Sequence, residues 1–207
     1  MNPVFRPYQT EEDFWRMREF LRRVFLLNDH REQSWHVARL EYARWHTCLN
    51  CANVRLEDVA TLWEADGEII AFVMPDGGPG EAHFNVHPGL DTPALEEEML
   101  AVAEERLAET QQDGSRSLCI WTPGNDARRK EMLARHGYAP GEWVETQWRR
   151  RLDAPLPNVP PPFGYTIRPL GDGLELLERC YASGLGFHAG DIRVAVENRN
   201  DPSWYRN

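Results

Sequence analysis

Two stretches of this chain follow the same plan, and that repetition limits the architecture more than any other feature. Phe5-Arg6-Pro7-Tyr8 precedes an amphipathic run over residues 11–27, and Thr166-Ile167-Arg168-Pro169-Leu170 precedes another over 174–181. In both, an apolar-Arg-Pro strand end leads through a turn into a helical pattern. A repeated supersecondary unit shows where a fold starts. The first copy has room to complete a domain, whereas the second reaches Asn207 after about a strand and two helices. The expectation is a complete domain over 1–153, a linker over 154–163 and the opening of a second domain over 164–207. The linker holds Pro155, Pro157, Pro160, Pro161 and Pro162, a stiff extended composition. A competent active site would then lie in sequence this chain does not contain.

Composition excludes several classes of partner. The formal net charge of -10 argues against nucleic acid and against an anionic membrane surface. The longest apolar stretch, residues 69–74, is too short to span a bilayer. The first residues lack a basic-then-apolar leader, and four cysteines read as reduced thiols, so a cytoplasmic location is expected.

The hydrophobic period orders the elements. Strand patterns fall at 3–9, 60–65, 68–74, 81–86, 117–122 and 143–152, and helical patterns at 11–27, 34–49, 93–110 and 127–136. Asp66-Gly67 marks a tight turn between the second and third strands. A long helix between strands calls for a parallel crossover. The class is α/β, a mixed and mostly antiparallel central sheet flanked by helices.

That order, with Phe84-Asn85-Val86-His87-Pro88, Asn125 and Gly137-Tyr138 at their places in it, resembles the GCN5-related N-acetyltransferase (GNAT) family, in particular its tandem-domain members. The resemblance covers about residues 1–153. It implies the acyl-CoA N-acyltransferase fold, acetyl-CoA as co-substrate, and an amine of a small molecule or peptide as acceptor. By the same resemblance Phe84, Val86 and Asn125 are the cofactor-side positions.

The family's devices are only partly present. Its phosphate loop is a Gln/Arg-x-x-Gly-x-Gly/Ala turn whose bare amides meet the coenzyme's diphosphate. Here that stretch carries Asp91, Pro93, Ala94 and Glu96, adding charge of the wrong sign and removing a donor. Leu133 stands where many members have a tyrosine that protonates the leaving thiolate, and His136 is the nearby substitute. Glu81 and His83, on one face of a strand, are the candidate bases; the alternative is that both are ordinary polar residues on a solvent face. The expected function is acetyl transfer from acetyl-CoA to an amine, with residues 1–153 a weak or inactive site. The alternative is a non-catalytic scaffold or dimerisation module of the same fold.

Other signals read as structure. Cys48-Leu49-Asn50-Cys51 has metal or redox spacing, but a second ligand pair is absent from the sequence, so no metal is expected. Cys119 and Cys180 read as packing residues, and Arg128, Arg129, Lys130 and Arg149–Arg151 as solvated surface. The apolar set Ile167, Leu170, Leu174, Leu176, Leu177, Tyr181 and Phe187 has no sheet of its own, so residues 164–207 are expected to pack on the first domain, to form a homodimer contact, or to be partly disordered.

Overall fold

A computed structural model describes residues 3–187 and divides the chain into two compact units, Met1–Gly141 and Glu142–Asn207. In the first unit the elements run β1 Val4–Pro7, α1 Glu11–Leu27, α2 Val37–Tyr42, a π-helical continuation Ala43–Ala52, α3 Leu56–Val59, β2 Thr61–Ala65, β3 Glu68–Met74, β4 Glu81–Val86, α4 Pro93–Leu107, β5 Glu109–Thr110, β6 Arg116–Ser117, β7 Cys119–Trp121 and α5 Ala127–Arg135. The main sheet has the order β1-β2-β3-β4-β7. Every pair is antiparallel except β4 with β7, which α4 links by a crossover.

Both faces of this sheet are covered. Val59, Trp63, Ala71, Val73, Phe84 and Val86 pack with Leu95, Met99, Ala103, Met132 and Leu133 of α4 and α5. On the other side Leu62, Phe72 and Met74 pack with Phe14, Met17, Phe20 and Leu21 of α1 and Leu40 of α2. A strand buried on both faces reads as a continuous apolar run, which is why β3 was legible as one block. Asp66 and Gly67 join β2 to β3 with φ of 52° and 81°, the two left-handed residues that a tight hairpin demands.

Three expectations need correction. No strand forms over 143–152, where Trp143 is 88% and Trp148 90% exposed. Among the described residues no strand pairs with the outer side of β7, which is there the edge of the sheet, and Cys119 is exposed rather than buried. The helix expected over 34–49 divides into α2 and the π segment. That segment is pinned on the 76–77 loop, with Thr47 donating to Asp76 C=O and Cys48 Sγ 3.2 Å from Gly77 C=O. It ends at Asn53, φ 54°, the left-handed residue that closes a helix.

The repeat seen in sequence has a matching side-chain geometry. In the first copy Arg6 donates to Asp13 Oδ2 at 2.9 Å and Oδ1 at 2.6 Å and to Pro7 C=O at 3.1 Å, while Gln9 N–H donates to Asp13 at 2.9 Å. In the second, Arg168 donates to Glu175 at 2.7 and 2.8 Å and to Pro169 C=O at 3.1 Å, while Gly171 N–H donates to Glu175 at 2.6 Å. The residue spacing is the same in both, so one device closes the strand-to-helix corner twice. Within Glu142–Asn207 the described helix is α6, Leu174–Phe187; residues 165–170 form no strand, and the side chain of Phe187 lies outside those described.

The first corner is the tighter one. Asp13 has a nearly buried side chain, and its hydrogen bonds to Arg6 hold its carboxyl below the usual aspartate range. Asp13→Ala removes one of the two carboxylates that Arg6 holds, leaving it Glu64, and strands the Gln9 and Thr10 N–H groups, an expected loss of about 2 kcal/mol and roughly 4–8 °C in Tm. Thermal unfolding of the variant checks this. Glu175→Ala is expected to shift Tm less, because Arg168 and Glu175 are both exposed.

Candidate functional site

The parallel pairing of β4 with β7 covers only Glu81↔Cys119, Ala82↔Ile120 and His83↔Trp121. Beyond it the two strands part, and a cleft of ≈ 340 Å³ opens there, lined by Asn28, Gln33, Val86, Asp91, Asn125, Asp126, Arg128 and Arg129. Of the residues named from sequence, Val86 and Asn125 meet at this cleft. Phe84 does not line it; it is buried on the α4 side, with the Arg129 guanidinium 5.4 Å above its ring.

The floor beside α4 is an ion-pair cluster. Arg129, 3% exposed, donates through Nε to Glu96 Oε1 at 2.7 Å, with Nη2 at 2.5 Å from the same oxygen. Glu96 is fully buried, and Asp126 lies 3.6 Å from Arg129 Nε. Arg128 pairs with Asp91 and approaches Glu96 Oε2 to 3.4 Å. Arg129 is thus a core residue, not the solvated one its type suggested. Two guanidinium groups face three carboxylates, a formal balance of 2 − 3 = −1.

The N-terminus of α4 is largely committed as well. Thr92 Oγ1 accepts Leu95 N–H at 3.2 Å, Glu96 N–H donates to Thr92 C=O at 3.1 Å, and Pro93 has no N–H. Proline at the first helical position costs the helix nothing, since that donor would be orphaned anyway. It does leave Ala94 as the single unspent amide of the first turn, where an anion seat needs several.

Glu81 and His83 lie one pairing step back and do not line the cleft. Both Glu81 oxygens are taken: Asp76 N–H donates to Oε1 at 3.0 Å and Trp121 Nε1–H to Oε2 at 2.7 Å. His83 is 6% exposed, so the solvent-face alternative is wrong for it; α1 and α2 cover that face. Its ring is held between Trp35 (4.8 Å) and Trp121 (5.6 Å, 6° between planes). Nε2 is buried with no hydrogen-bond partner, 3.9 Å from Glu81. Burial first, and the Arg39 charge second, push its pKa down to about 3, so the imidazole is neutral near pH 7.

The remaining candidates are occupied elsewhere. His136 Nε2 pairs with Glu97 at 2.5 Å, and Leu133 is buried core. The Tyr138 hydroxyl donates to Glu104 at 3.1 Å, and burial together with that carboxylate raises its pKa. Burial pushes the Cys48 thiol up to about 12, the opposite of a reactive thiol. Among the described residues no group of three or more His, Cys, Asp or Glu is placed to hold a metal ion, and no helix is long and apolar enough to cross a membrane.

Comparison with known proteins adds the following. The sequence matches no family profile. It is 28% identical over 121 residues to the mycothiol acetyltransferase of Pseudarthrobacter chlorophenolicus, covering 57% of this chain and 34% of that protein. The chain therefore spans about a third of the length of the curated relative it matches. Among solved structures it superposes on aminoglycoside N-acetyltransferase AAC(6')-Iy bound to a CoA-linked bisubstrate analogue, with TM-score 0.43, 14% identity and coverage of 73% of this chain and 100% of that one. It also superposes on an acetyltransferase of Clostridium acetobutylicum solved with acetyl-CoA, with TM-score 0.44, 14% identity and coverage of 70% and 96%.

Proposed function

We propose that this chain is part of a tandem GNAT-type N-acetyltransferase, which moves an acetyl group from acetyl-CoA to an amine of a small molecule or peptide. Residues 1–153 are on this proposal a weak or inactive donor site, and 164–207 begin the second copy. The observation that carries it is the parting of β4 from β7 after His83↔Trp121, which turns the Val86 main chain toward a cleft shared with Asn125. The similarity to a mycothiol acetyltransferase and the twice-built Arg-Pro-acid corner support it. The four free cysteines support a cytoplasmic location. Ile167, Leu170 and Leu174, all exposed, support packing through 164–207 on another copy.

The fit to acetyl-CoA is divided. The Val86 edge offers one N–H and one C=O, the pair that an amide-bearing arm takes, and Asn125 faces the same cleft. The diphosphate end fits badly: one unspent amide, two arginines already paired and three carboxylates oppose an anion. When bound, acetyl-CoA supplies the activated acetyl group. This chain's residues supply the edge, the neutral His83 and the aromatic walls around it.

Calorimetric titration of acetyl-CoA into the chain tests the proposal, and weak but measurable binding is expected. Asp91→Asn takes the carboxylate partner from Arg128, which keeps its bond to the residue 91 C=O, and removes one repulsive charge. A carboxylate about 4 Å from a phosphate costs up to about 4 kcal/mol at intermediate dielectric, and half of that is about thirtyfold in affinity. Tighter binding by Asp91→Asn at low salt, fading at high salt, is the expected result. Equal affinity in both proteins would place the diphosphate elsewhere. Complete absence of binding in both would favour the scaffold reading, which the closed ion-pair cluster supports.

A further inference from the structure

Along β4 the backbone groups alternate sides. His87 N–H donates to Ile70 C=O on the β3 side at 2.9 Å, so Val86 turns its own N–H and C=O the other way, toward the space left where β7 ends. Neither group is unpaired. Ser34 Oγ accepts the Val86 N–H at 3.0 Å and donates to the Val86 C=O at 3.2 Å. One residue on, Trp35 N–H donates to Asn85 Oδ1 at 2.8 Å. A single buried hydroxyl thus fills the place where β4 lacks a neighbouring strand.

The segment carrying that hydroxyl is set up differently from the rest of the fold. It leaves α1 through Asp29 and His30, with φ of 53° and 57°, two successive non-glycine residues in the left-handed region. Each costs on the order of 1 kcal/mol of backbone strain, which the surroundings must hold in place. Gln33, next to Ser34, lines the cleft together with Val86. The plug and the cleft therefore share a wall.

We propose that Ser34 is an affinity-setting plug. It occupies the donor–acceptor pair of Val86 that the amide-bearing arm of an acyl thioester takes, and it leaves when that arm arrives. This rests on the acetyl-CoA reading given above. The exchange is near-neutral in hydrogen bonds: the Ser34 hydroxyl gives up one accepted and one donated bond, and an amide C=O and N–H replace them. What remains is the population cost of the plugged state. Apparent affinity falls by the fraction of molecules in which the edge is open.

The test is calorimetric titration of acetyl-CoA into the full chain as wild type, Ser34→Ala and the nearly isosteric, weakly bonding Ser34→Cys, with amide hydrogen exchange read at Val86. Ser34→Ala is expected to bind about tenfold more tightly, which corresponds to 1.4 kcal/mol, with Ser34→Cys between it and wild type. The Val86 amide, fast in free Ser34→Ala, is expected to become slow at saturating acetyl-CoA. Equal or weaker binding by both folded variants would overturn the plug while leaving the acetyl-CoA reading intact, because wild type still binds. Tighter binding with Val86 still fast would also overturn it, since the arm would then lie elsewhere. If no form binds, the acetyl-CoA reading fails and the plug fails with it.

Discussion

Arg129→Ala is expected to lower the melting temperature by about 6–20 °C, from a cost of about 3–5 kcal/mol for stranding a buried charge and roughly 2–4 °C per kcal/mol at this size. The size follows from what the substitution leaves behind. Glu96 is fully buried, its Oε1 held only by Arg129, and its Oε2 already has no hydrogen-bond partner. With the guanidinium gone, a buried carboxylate would sit between α4 and α5 with only the half-exposed Arg128 at 3.4 Å. The Phe84 ring would lose its cation as well. The reverse substitution, Glu96→Ala, strands Arg129 in the same way. The pair itself need not be stabilising, because desolvation offsets most of its attraction. The double variant Glu96→Leu with Arg129→Met is accordingly expected to be more stable than either Glu96→Ala or Arg129→Ala. Thermal or urea unfolding of the set checks this. A single variant within about 1 kcal/mol of wild type, or a double variant as poor as the sum of the singles, would show that the pair is not an energetic unit.

The same pair shows what a sequence conceals. Arg129 and Glu96 stand 33 positions apart on different helices, and each is by type a surface residue. Only the packing of α5 against α4 makes them core. Asp91 and Glu96 were visible in sequence as acids where an anion seat needs bare amides. What sequence did not show is that Arg128 and Arg129 had already been recruited to neutralise them. The helix and strand boundaries were more legible. The runs for α1, β3 and β4 carry apolar residues on defined faces, and burial of those faces fixes where each element begins and ends. The stretch 143–152 misled for the opposite reason. Alternation tells which face a strand would bury, but not whether the segment pairs with an edge, and among the described residues no strand pairs with that side of β7. Ser34 was illegible altogether, since in sequence it opens the helical pattern over 34–49 and shows nothing of a substitute for a missing strand.

His83→Phe is expected to leave stability near pH 7 almost unchanged and to raise it in acid. The unfolded histidine titrates near 6.5 and the buried one near about 3. Between those values the unfolded chain takes up a proton that the folded chain refuses. Stability therefore falls as pH drops through that window, by about 1.4 kcal/mol per unit and roughly 4–5 kcal/mol in all. Phenylalanine cannot titrate, and it keeps an aromatic ring between Trp35 and Trp121. It also removes a buried nitrogen that has no partner, so little is lost at neutral pH. The Arg39 charge and Glu81 at 3.9 Å face this ring, and they act on protonation in the wild type alone, where Arg39 contributes to the lowered value. At pH 4.5 the variant should be more stable than wild type by about 2–3 kcal/mol, read from urea unfolding across pH. Parallel pH curves for the two proteins would mean that His83 does take up a proton while folded. The same variant separates structure from chemistry. On the proposed acetyl transfer, loss of detectable transfer in this variant at unchanged acetyl-CoA affinity would make His83 the base. If transfer persists, the imidazole is wall rather than base, and the base is then a water or the acceptor's own surroundings.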